Sequence, residues 1–140
     1  MSVFKIESVK DNPNDHYSKV ITVNFMYDTG TPIYAFKITT ALNHCCGLNG
    51  VEGIGNMEFL LKNWEDFTNL LENLQEEIKS FGKKLYWPTK IFQITQGTSY
   101  GDQWGKQLLA QKGVTKVATF KNHAHYPHGD INLYLLDLSQ

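Results

Sequence analysis

Across residues 19–27 apolar and polar side chains alternate, with Ile21, Val23, Phe25 and Tyr27 on one face. A period of two is the pattern of a half-buried strand. It recurs across 33–42, where Tyr34, Phe36, Ile38 and Leu42 share a side, and more briefly near the start, where Phe4, Ile6 and Ser8 alternate with Lys5, Glu7 and Val9. Residues 11–15 and 28–32 are rich in Asp, Asn, Gly and Pro, the residues that turns use. An antiparallel meander of three strands is therefore predicted.

The period then changes. Residues 43–56 hold Gly47, Gly50, Gly53 and Gly55 and read as loop, with Asn56 suited to cap a helix. Beyond it Met57, Leu60, Trp64, Phe67, Leu71, Leu74, Ile78 and Phe81 follow three–four spacing, predicting one long helix over 57–81. Gly82 ends it, and Lys79, Lys83 and Lys84 sit at the negative end of its dipole. Leu61 and Leu70 widen the apolar stripe beyond a coiled-coil seam, which favours packing on the chain's own sheet. A strand at 90–95, a turn at 96–98, a second helix at 99–112 closed by Gly113, and strands at 114–122 and 131–138 complete the pattern. Gly101 and Gly105 would let that second helix approach a neighbour closely. The last strand is apolar on both faces, so a cover on both is predicted.

This pattern gives an α+β chain of one domain, residues 1–140: a mostly antiparallel mixed sheet flanked by two helices, in the order β-β-β-α-β-α-β-β. Composition agrees, since 140 residues with 41% hydrophobic side chains can form one core. A net charge of −1 gives no long-range attraction to nucleic acid or to an acidic membrane. No apolar run reaches the roughly 20 residues that cross a bilayer, and the first residues lack a signal peptide's apolar stretch. The cytoplasm, of a cell or of an infected host, is the expected location. The two cysteines, Cys45 and Cys46, are adjacent, and the strain of a disulfide between neighbours favours reduced thiols.

The element order resembles that of the GNAT-type N-acetyltransferases, whose meander runs into a glycine-rich turn, a helix, a strand, a helix and a closing strand pair. The resemblance covers most of residues 19–138 and is closest over 108–122 and 131–138, where a helix breaks at Gly113 and two strands follow. It implies acetyl-CoA as a cofactor, its pyrophosphate held by the backbone of Val51, Gly53, Ile54 and Gly55 before the long helix. The glycines at 53 and 55 match the family's turn, whereas Gly50 replaces its Gln or Arg and Glu52 adds a negative charge. Where many members carry a general-acid tyrosine, this chain has Leu109. Glu52, His44 and Tyr100 are the remaining candidates for handling protons.

Other constellations point elsewhere. His123, His125 and His128 could hold a zinc ion with an open position, though their loop contains Pro127 and Gly129 and reads as an exposed hairpin. His44 beside Cys45 and Cys46 could supply a thiol nucleophile, for which a neighbouring base or cation would be needed. Tyr86, Trp87, Tyr100, Trp104 and Tyr126 are not interleaved with a basic stripe, so nucleic-acid stacking is not expected. Two functions follow. The first is a binding protein without catalytic machinery, of the viral or phage accessory kind, acting on a protein partner or on its own copy. The second is an acyl-CoA-dependent N-acyltransferase.

Overall fold

The structure, a computed structural model, describes residues 3–12, 15–40, 49–85, 90–98, 103–121 and 129–140. Seven strands form one sheet in the order β1-β2-β3-β4-β5-β7-β6. The meander is β1 (Phe4–Asn12), β2 (Asp15–Met26) and β3 (Pro32–Thr40), followed by a short β4 (Asn49–Glu52). After the helices come β5 (Ile91–Gly97), β6 (Val114–Phe120) and β7 (Ile131–Asp137). Every neighbouring pair is antiparallel except β4 with β5, which is parallel.

Two single-residue bulges tune the meander, besides a register shift at Asp11–Asn12. Ile6 pairs with Val23 but Ser8 pairs with Thr22, leaving Glu7 as a bulge. The shift turns Val9 inward, onto the face of Phe4 and Ile6, rather than outward as simple alternation predicts. A second bulge at Ala35 in β3 lets Phe36 pair with Val23 while Tyr34 pairs with Asn24. Phe36 is therefore buried and Tyr34 half-exposed, so the two do not share a face as predicted.

The predicted long helix is broken into α1 (Met57–Lys62), α2 (Trp64–Glu72) and α3 (Leu74–Lys79). Asparagines stand at both breaks. Asn63 Nδ2 donates to the Phe59 carbonyl at 3.0 Å, and Asn73 Nδ2 to the Asn69 carbonyl at 2.9 Å. Such side chains compete with the backbone for the carbonyl four residues back. The apolar period survives the breaks because Leu60, Phe67, Leu70, Leu71, Leu74 and Ile78 are all buried against the sheet. Phe81 is not part of that stripe and lies exposed. The predicted ends hold: Asn56 Oδ1 accepts from Phe59 N–H at 3.0 Å, and Gly82 adopts φ 72°. The second helix, α4 (Gln103–Leu109), packs beside α1 with Gly105 and Leu108 buried.

Register places Ile6, Val23, Phe36, Ile38, Val51, Ile94, Tyr134 and Leu136 on one face. That face, with the helices laid on it, is the core. The described helices thus share one side of the sheet instead of covering both. On the open side Leu133 and Leu135 of β7 are half-buried, and Phe120 of β6 is 55% exposed.

Candidate functional site

The stretch predicted as loop contains a strand that decides the site. Gly50 pairs with Thr39 on one side and Gln93 on the other, and Val51 pairs with Ile38 and Ile94. Val51 is therefore a core residue of a central strand. The parallel ladder ends at Val51 and Ile94. Beyond it β5 continues through Thr95, Gln96 and Gly97, which pair with β7. The chain after Glu52 stays with β3 instead, since Gly55 N–H donates to the Ala35 carbonyl at 3.2 Å. The two central strands consequently part at Gly53.

The backbone calls for glycine at Gly53, since its φ of 69° lies in the left-handed region. A Cβ on it would also push aside the Tyr34 hydroxyl, the far end of an exposed side chain. Gly55 has neither restriction, with ordinary φ and open space around its Cα. Ile54 is half-buried against the core. Beside this turn lies an apolar cleft of about 160 Å³ lined by Phe25, Tyr27, Ile33, Tyr34, Ile54 and Phe59.

Glu52, the last residue of β4, pairs with Lys37 on the face away from the described helices. Its Oε1 accepts from the Thr39 hydroxyl at 3.0 Å. Desolvation, and then the Glu52 carboxylate, push the Tyr34 hydroxyl above its ordinary range, so it stays protonated at neutral pH. The negative charge that Glu52 adds to the turn is thus held on the opposite side of the sheet from α1.

On the helix side, polar residues line up at the parted strands. Gln96 is 4% exposed, and its Oε1 accepts from the Tyr134 hydroxyl at 3.0 Å and from Asn132 Nδ2 at 3.5 Å. Asn132 Oδ1 in turn accepts from the Thr119 hydroxyl at 2.8 Å. The Gln96 Nε2 has no hydrogen-bond partner among the described residues. Sequence reasoning assigned Gln96 to a turn, whereas it belongs to β5. The signal was present: Phe92, Ile94 and Gln96 share one period, as do Asn132, Tyr134 and Leu136, so both amides fall at core positions.

His44, Tyr100, Cys45 and Cys46 lie outside the described residues, as do His123, His125 and His128. Among the described residues no group of His, Cys, Asp and Glu is arranged to hold a metal ion. Leu109 is exposed on α4 and carries no ionisable group. No described helix is long and apolar enough to cross a membrane.

No family model and no curated protein matches the chain. Among solved structures it is similar to GNAT-type acetyltransferases. Two chimeras of Vibrio cholerae spermidine N-acetyltransferase SpeG with hSSAT each give a TM-score of 0.49, at 7% and 8% identity. The alignments cover 91% and 89% of this chain and 70% of each of those. A protein assigned to the GNAT family from Desulfovibrio desulfuricans gives a TM-score of 0.47 at 12% identity, covering 85% of this chain and 69% of that one. At these values the likeness concerns the path of the chain alone and says nothing of ligand or chemistry.

Proposed function

We propose that this chain is an acyl-CoA-dependent N-acyltransferase, taking the acyl donor into the opening between β4 and β5. The observation that carries this reading is the parting of the parallel pair at Gly53, the residue that would face Gln96 had the ladder continued. In a central position a sheet gains by continuing its ladder, because buried backbone groups need partners. A long, thin ligand with amide groups suits such an opening. The Gln96 Nε2, without a partner among the described residues, supports the fit, as does the placement of Glu52 away from the helix side, where it does not repel an anion. Gly53, Ile54 and Gly55 would hold the phosphate end, next to the capped start of α1. An acyl thioester, when bound, supplies an activated acyl group. Glu52, bordering the opening on the open face, would accept the proton of an attacking amine.

Thermal unfolding with coenzyme A tests the reading. At 100 times Kd a ligand adds about 2.7 kcal/mol to stability, a shift of several degrees. The informative variant is Gly55→Glu. Gly53→Glu would strain a positive φ, but Gly55 has room for a side chain. Gly55→Glu should fold as the wild type does and lose the shift, by placing a carboxylate beside the phosphate end. No shift with the wild type at millimolar coenzyme A would sink the proposal.

A second reading, in which a protein partner or a second copy docks on the molecule, is favoured by the sheet face away from the described helices. Phe120 and Val117 are exposed there and Leu133 and Leu135 only half-buried, and exposed apolar patches mark interaction sites. Light scattering after size exclusion distinguishes monomer from dimer, and Phe120→Lys should dissolve any dimer formed through this face.

A further inference from the structure

The Gln96 carboxamide is a buried polar group with half its hydrogen-bonding capacity unused. One of its polar atoms serves Tyr134 and Asn132, and the other meets nothing among the described residues. Flipping the amide exchanges nitrogen and oxygen and leaves one of them orphaned either way. A side chain that is 4% exposed cannot make good the deficit with bulk water, and such a group is costly to leave unmade. A leucine at the same position would fill the core without that cost. Gln96 also stands on β5 beyond the last pair with β4, where Gly53 would face it had the ladder continued. Its other side is fixed by the chain of Tyr134, Asn132 and Thr119, so the carboxamide is held in place rather than swinging free.

We propose that Gln96 is a ligand-recognition residue whose orphaned amide atom bonds an amide of the pantetheine arm of coenzyme A lying between β4 and β5. This inference rests on the acyl-CoA reading above. The arm carries two secondary amides, each with an N–H and a carbonyl, so either orientation of the Gln96 amide finds a match. Tyr134 and Asn132 are positioning residues: they touch the carboxamide and orient it. The recognition is neutral, which leaves charge recognition to the phosphate end.

Calorimetric titration with coenzyme A compares the wild type, Gln96→Met and Tyr134→Phe, with melting temperatures measured on the ligand-free proteins. Both substitutions remove the Tyr134–Gln96 bond and should lower the melting temperature, but only Gln96→Met removes the amide. The expected result is about tenfold weaker binding by Gln96→Met and a smaller loss, about threefold, by Tyr134→Phe, which leaves Asn132 alone to orient the amide. Gln96→Asn, which keeps the amide but draws it back by one methylene, should also weaken binding and serves if the methionine variant does not fold. Undiminished binding by these Gln96 variants would overturn the inference while leaving the acyl-CoA reading intact. Equal weakening by Tyr134→Phe would assign Gln96 to structure alone. Failure of the wild type to bind coenzyme A would overturn the acyl-CoA reading, and this role for Gln96 with it.

Discussion

Phe36 and Gln96 both face the helices from inner strands of one sheet, yet their surroundings differ in kind. Phe36 meets the rings of Phe4 and Phe67, each with centroids 5.4 Å away in edge-to-face contact. Gln96 meets a hydroxyl and an amide. Beside Phe36 the strand is bulged at Ala35 and the ladder to β4 ends at Lys37, yet the helices lie directly over the ring. Around Gln96 the parallel ladder has already ended. Both residues stand past the end of a ladder to β4, and Asn49, inside the paired stretch, is as buried as Gln96. The contrast therefore teaches that the facing side chains, rings in one case and polar groups in the other, decide what fills this core, because each buried polar atom needs a partner.

The largest test of the contrast is at the aromatic end. Phe67→Ala should cost about 3–5 kcal/mol in urea denaturation, since Phe67 is fully buried and touches Phe4, Phe36 and Trp64. A cost below that of an exposed site would mean that this end is not the rigid part of the core. At the polar end Asn132→Leu should cost less, about 1–3 kcal/mol, by stripping a partner from the Gln96 and Thr119 side chains. If the leucine variant proved more stable than wild type, the polar chain would be a burden the fold carries for function, and the contrast would sharpen.

Asn73→Ala probes the helices that cover the apolar end. It removes the side chain that competes for the Asn69 carbonyl and should stabilise by up to about 0.7 kcal/mol, with stronger helical circular dichroism. A weaker signal would show that the break is imposed by packing. The smallest effect concerns Tyr34, whose folded hydroxyl is held above its ordinary value of 10.0 by desolvation and then by the Glu52 carboxylate. Above that value the unfolded chain loses its proton first, so stability should fall as pH rises through 10 and level off past the folded value. Tyr34→Phe should remove this part of the alkaline slope, which pH-dependent denaturation would read.

Much of the fold was legible in the pattern of side chains. The meander follows from period-two alternation between turn residues, and the helical region from the spacing of Leu60, Phe67, Leu71, Leu74 and Ile78. Its boundaries follow from Asn56 and Gly82, because capping and left-handed turns are local chemistry. The breaks at Asn63 and Asn73 were less visible, since an asparagine inside a helical period is outvoted by the apolar residues around it. The short β4 was hidden by its glycine-rich surroundings. Only the pairing of Gly50 and Val51 with both β3 and β5 makes a strand of residues whose own preference is for a turn.

By itself the sequence determined the order of the meander, the helical region and the closing strands, but not β4 or the helix breaks. It also determined the apolar residues of the core, and all of these are matters of local conformation and burial. The tertiary structure decided which face the helices cover, that Glu52 stands on the opposite face, and that Gln96 and Asn132 meet Tyr134 inside the core. Those facts depend on register between strands that are distant in sequence, where one bulged residue reverses the face of everything beyond it. The opening at Gly53 is of the same kind: a local positive φ marks the turn, but only the neighbouring strands determine that the sheet parts there.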